Sequence, residues 1–120
     1  IYASSNTATP TATPTVGGTL TISATGATQY GVQIASGSLV SFGDMSITAR
    51  GAGAYQGAYI YGIGTFKAVG NITVDSATSG GQCGLDFSAS RVMQSTTGNI
   101  SITASGAYGF YLKGSIVAST

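Results

Sequence analysis

The chain writes nearly the same word four times: "GTLTISAT" at 18–25, "GDMSITAR" at 43–50, "GNITVDS" at 70–76 and "GNISITAS" at 98–105. The opening glycines, Gly18, Gly43, Gly70 and Gly98, step by 25, 27 and 28 residues. A second word lies midway in each unit: "YGVQI" (30–34), "QGAYI" (56–60), "CGLDF" (83–87) and "YGFYL" (108–112). Its glycines step by 26, 27 and 25 residues. A third, looser word closes each unit: "SLVSF" (38–42), "TFKAV" (65–69), "RVMQS" (91–95) and "SIVAS" (115–119). Self-similarity at a fixed period is the signature of stacked units, none of which buries its inner face alone.

Each word reads as a short strand. In the first, apolar residues alternate with Ser and Thr, the period of two expected of a strand with one buried face. Inward fall Leu20, Ile22 and Ala24; Met45, Ile47 and Ala49; Ile72, Val74 and Ser76; Ile100, Ile102 and Ala104. The second word sends Val32 and Ile34, Ala58 and Ile60, Leu85 and Phe87, Phe110 and Leu112 inward. The third starts its inward set at Leu39, Phe66, Val92 and Ile116. Three strands in so short a unit are too few residues for a propeller blade, which takes about 40 or more. No helical periodicity is present. A sandwich of hairpins would favour Asn-Gly or Asp-Gly turns, and the chain has neither dipeptide. The expected fold is all-β: a right-handed parallel β-helix with about 26 residues and three short strands per coil. The handedness rests on the general preference of parallel crossovers. The coils are read as 18–42, 43–69, 70–97 and 98–120, with the glycines at corners where left-handed dihedrals suit them.

Residues 1–17 are read as a partial first coil with a Thr/Pro-rich irregular loop. "IYASS" at the start resembles "IYGIG" at 60–64, which places Ile1 in a second strand. Pro10 and Pro14 then fall at the third-strand position, where a missing N–H marks an edge or a loop. An extended or O-glycosylated linker is the competing reading of the Thr-Pro stretch. Neither end shows the polar cap of a finite solenoid. The expectation is continuation into a longer solenoid, or end-to-end association of copies through unpaired strand edges.

Composition narrows the function. Charged residues make up 6% of the chain and the formal net charge is +1, which leaves no electrostatic footprint for nucleic acid. The apolar residues are dispersed, with no run near the roughly 20 residues of a spanning helix. The chain opens without Met or a secretory leader, so it reads as a mature product, a fragment or the ordered part of something larger. Cys83 is the one cysteine; it is either a small buried filler or an intermolecular link.

A Gly, then "LTISA", "NITV" or "NISI", then a small polar loop, then "YGVQI", resembles the arrays of filamentous-haemagglutinin-like proteins over about residues 17–120. The resemblance implies large exported bacterial proteins whose β-helical shafts serve adhesion, biofilm or contact-dependent competition. The export-domain motifs of that class are not seen here.

No residue cluster announces catalysis. His is absent, and no metal set of clustered carboxylates or cysteines is legible; no cofactor is expected. Asp75 falls near the coil of Arg50, and Asp86 near Lys113 across one rung, as candidate ion pairs. Two outward files of the first strand form a Thr/Ser ladder: Thr21, Ser46, Thr73 and Ser101, then Ser23, Thr48, Asp75 and Thr103. Such rows suit ice binding, and equally suit ordinary outward strand positions. Tyr59, Tyr61 and Tyr111 are candidates for an aromatic patch on the second face, with Gln33 and Asp86 in its file. Such a patch binds sugars or packs on other shafts. "NIT" and "NIS" at 71–73 and 99–101 match the glycosylation pattern and are taken as chance. The reading is a non-enzymatic, extracellular bacterial shaft of an adhesin or filament. An ice-binding or carbohydrate-binding solenoid is the alternative, with a glycan or cell-surface receptor as partner.

Overall fold

In the computed structural model, the described residues are all except 1–10, 15–17, 28, 36, 52, 54, 81, 89–91 and 120. In chain order the strands are β1 (Thr11–Pro14), β2 (Leu20–Ala27), β3 (Val32–Ile34), β4 (Gly37–Ser41), β5 (Met45–Gly51), β6 (Ala58–Ile60) and β7 (Ile63–Ala68). There follow β8 (Ile72–Thr78), β9 (Leu85–Phe87), β10 (Val92–Ser95), β11 (Ile100–Ser105), β12 (Phe110–Leu112) and β13 (Ser115–Ala118). No helix occurs among the described residues. The three words build three sheets. The first holds β1-β2-β5-β8-β11, the second β3-β6-β9-β12 and the third β4-β7-β10-β13. Every pairing is parallel except β1 with β2. The chain is a β-solenoid with three strands to the coil and roughly 27 residues to the turn.

Register explains the repeated spelling. Ile22, Ile47, Val74 and Ile102 are successive partners in the first sheet. Ile34, Ile60, Phe87 and Leu112 are successive partners in the second. Leu39, Phe66, Met93 and Ile116 form the matching column of the third. Ile22, Met45, Ile47, Ile72, Val74, Val32, Ile34, Ile60, Leu85 and Phe87 are all buried, and Phe66 meets Phe87 edge to face at 5.8 Å. Hydrophobic burial is therefore shared between rungs, and each column needs like residues at one-period intervals.

In the third sheet the inward residue of β10 is Met93, not the expected Val92: Met93 is 0% exposed and Val92 is 41%. Two adjacent apolar residues left the parity open, and pairing with Phe66 and Ile116 selects Met93. The last coil keeps register but not burial. Ile100, Ile102, Ala104 and Ile116 are half-buried, while Phe110 and Leu112 are 38% and 43% exposed. They line up with the columns and have no rung beyond them among the described residues. Leu20, at the other end of its column, is also half-buried.

Pro14 does not take the third-strand position. It lies in β1, which pairs antiparallel with β2, Pro14 opposite Leu20 and Thr11 opposite Ser23. Ile1 and Pro10 lie outside the described residues. A strand ending in a residue without an N–H makes a poor template for further pairing.

Two corner devices hold the rungs in line. At the bend between first and second sheets, a Cβ on Gly57 would lie 2.6 Å from the Ala77 carbonyl and 2.7 Å from that of Gly84. Gly31 meets the same obstacle against Gly57 and Arg50. These landmark glycines answer to close backbone approach and not, as expected, to left-handed dihedrals; of the landmarks, only Gly18 (φ 80) and Gly109 (φ 61) have those. At the bend entering the first sheet, Asp44 Oδ1 accepts the Asn71 N–H at 2.7 Å, and Asn71 Oδ1 accepts the Asn99 N–H at 2.9 Å. Buried Ser95 adds a hydroxyl bond to the Gly70 carbonyl at 2.7 Å and accepts the Gly98 N–H at 3.0 Å. The Gly-Asx pair that opens each of these words is thus an axial side-chain ladder.

Candidate functional site

The outer surface of the second sheet gathers several tyrosines and glutamine amides. Alternation in β3, β6, β9 and β12 turns one residue of each strand outward. Register puts Gln33, Tyr59, Asp86 and Tyr111 in a single file. Tyr61, two residues past Tyr59, stacks on it with centroids 4.3 Å apart and planes 23° apart. Tyr30 lies 5.5 Å from Tyr59 at 24°, and Tyr55 lies 5.4 Å from Tyr30 at 35°. The result is a row of four rings, Tyr55–Tyr30–Tyr59–Tyr61. Of the expected patch, Tyr59 and Tyr61 meet. Tyr111 shares the file, but Asp86 stands between it and Tyr59.

Tyr30 and Tyr55 were not among the expected residues. They come from the bends that precede β3 and β6, where strand alternation gives no direction. The one signal is position just before the landmark glycine, one residue before it in "YGVQI" and two in "YQGAYI".

Polar groups flank the rings. Gln33 Nε2 donates to the Tyr61 hydroxyl at 3.5 Å. Gln56 Nε2 donates to Asp86 Oδ2 at 3.3 Å and to Gln82 Oε1 at 3.4 Å, and the Ser88 hydroxyl donates to Asp86 Oδ1. Asp86 is thus held by Gln56 and Ser88, in place of the expected pair with Lys113. Gln56 is 7% exposed, and its Oε1 is buried without a donor. Burial pushes the Tyr30 phenol above its ordinary value, helped by Tyr55, Tyr61 and Asp86. Burial does the same for Tyr59, followed by Asp86, Tyr61 and Tyr30. Both phenols stay protonated near neutrality and keep their O–H donors. Cys83, beside this network, is buried, and its thiol is pushed up by burial and then by Asp86.

The first sheet carries the Thr/Ser files in the expected register: Thr21, Ser46, Thr73 and Ser101; then Ser23, Thr48, Asp75 and Thr103. The Arg50 guanidinium crosses this surface to the Asp75 carboxylate, and its Nη1 donates to the Asp75 carbonyl at 3.0 Å. The Arg50 contact holds the Asp75 carboxyl below its usual range. Among the described residues no cavity opens and no three metal-ligating side chains come together. Among the described residues no helix is long and apolar enough to cross a membrane.

No protein-family profile, curated protein or solved structure matches this chain.

Proposed function

We propose that the chain is a load-bearing shaft segment of an extracellular bacterial adhesin or filament, with no catalytic role. The observation that carries this reading is the axial continuity of the fold. Side-chain columns run through all three sheets, and main-chain bonds between coils extend into the bends, as in Met45 N to Asn71 O (2.8 Å), Ile72 N to Asn99 O (2.8 Å) and Ala58 N to Gly84 O (2.8 Å). Tension along the axis loads the three ladders in parallel, so no single hydrogen bond carries it alone. The repeat grammar shared with filamentous-haemagglutinin-like arrays supports the assignment to exported bacterial shafts. Phe110 and Leu112, column residues left exposed on the last coil, support axial extension by further coils or by a second copy.

Electron microscopy of the native material tests this. A thin continuous fibre, advancing about one strand spacing (~4.8 Å) per coil, supports the shaft. Compact particles that stay monomeric at all concentrations in sedimentation would refute it.

A further inference from the structure

We propose that the tyrosine row of the second face, Tyr55–Tyr30–Tyr59–Tyr61 with Gln33 and Asp86, is a docking strip for a neutral glycan strand. The case begins with ring geometry. Centroid separations of 5.4 and 5.5 Å at low interplanar angles exceed face-to-face contact, so Tyr55, Tyr30 and Tyr59 are offset from one another, while Tyr61 stacks closely on Tyr59 at 4.3 Å. Tyr55, at one end of the row, is 43% exposed. Offset faces of this kind accept the C–H faces of sugar rings, and the phenol hydroxyls, held protonated, offer donors and acceptors to sugar hydroxyls.

The polar groups fit the same class of ligand. Asp86 is fixed by Gln56 and Ser88 one rung past Tyr59, so its carboxylate is oriented before any ligand arrives, which lowers the ordering cost of binding. Gln33 is fixed on Tyr61. Carboxylate and amide groups beside aromatic rings match vicinal hydroxyls. Charge selects within the class. Asp86 is the one formal charge in this network, while Arg50 is engaged by Asp75 on the first sheet. The exposed Lys113, one rung past Ser88 at the position Tyr61 holds on its own rung, offsets the Asp86 charge along this face, so the strip offers an anionic polysaccharide or nucleic acid no net positive charge. The flat surface predicts weak binding for one sugar and useful binding for a strand spanning several rings.

Affinity electrophoresis of the folded chain tests the strip, in gels carrying soluble β-glucan, mannan, galactan or xyloglucan. At least one of these is expected to retard the protein, with retardation unchanged by high salt. Tyr55→Ala and Tyr61→Ala should each weaken it about fivefold to tenfold, the loss of one ring contact. Tyr108→Ala, a change to an exposed ring outside the row, should leave it intact. Asp86→Asn preserves shape and should weaken retardation about threefold or more, the loss of one charge-assisted bond; it decides the matter if the alanine variants lose the solenoid's circular dichroism. Absence of retardation in all four gels would overturn the proposal. So would retardation that survives these substitutions, or substitutions that alter self-association in sedimentation and leave glycan binding unchanged.

Discussion

Ile47→Ala probes the columns directly, and its partner experiment is Ile102→Ala. Ile47 is 0% exposed, with Ile22 on one side of its column and Val74 on the other. The three carbons removed carry about 2.4 kcal/mol of transfer free energy at about 0.8 kcal/mol each. Rungs above and below fix the walls, so little collapse follows and the void adds about 1 kcal/mol. The expected loss is about 3–4 kcal/mol, a large part of a domain's total stability. Ile102 occupies the same column one rung past Val74 but is only half-buried. Part of its surface is already in water and no rung closes the void, so its loss should be about half as large. Urea unfolding followed by far-UV circular dichroism measures both, provided the slopes agree. Equal losses at the two positions, or a loss below about 1 kcal/mol at Ile47, would refute the stacked-column account.

Four further outcomes follow from the corners and the side-chain pairs. Gly57→Ala should cost about 3 kcal/mol or more, because its Cβ meets two carbonyls, whereas Gly80→Ala, with its nearest atom at 3.4 Å, should stay within about 0.5 kcal/mol; thermal melts compare them. Asn71→Ala removes the acceptor for the Asn99 N–H and should cost about 1 kcal/mol in the same assay. Asp75 has a folded-state pKa below its unfolded value, so its contribution is present above the unfolded carboxylate value and is lost as pH falls through the folded one. Unfolding across the acid range should therefore show a shallower decline for Asp75→Asn than for the native chain. The Cys83 thiol, raised and buried, should react with iodoacetamide at mildly alkaline pH much more slowly in the folded chain than in urea; equal rates would show that the site is open.

The fold was readable because its constraint is repetitive. A column such as Ile22–Ile47–Val74–Ile102 writes one requirement four times, and each copy checks the others. Legibility failed where that redundancy ran out. In "RVMQS" alternation allowed either Val92 or Met93 inward, and only pairing with Phe66 decides. Pro14 carried its information in a strand of reversed direction, which a one-way repeat does not anticipate. Asn71 and Asn99 were in plain view within the repeated word, yet their role depends on the reach of a side chain to the next rung's backbone. The tyrosine strip was half legible. Tyr59 and Asp86 follow from strand parity, whereas Tyr30 and Tyr55 enter from bends, where spacing along the chain does not encode proximity.

The bends between the first and second sheets differ in length, spanning 28–31, 52–57, 79–84 and 106–109, while the strands on either side keep their partners. Each rung answers to its neighbour and not to the contour of the chain between. Such a scaffold tolerates grafting: a foreign peptide spliced in beside Gly80 would be displayed at a fixed height on the surface, and several grafts would stand at intervals set by the stacking pitch.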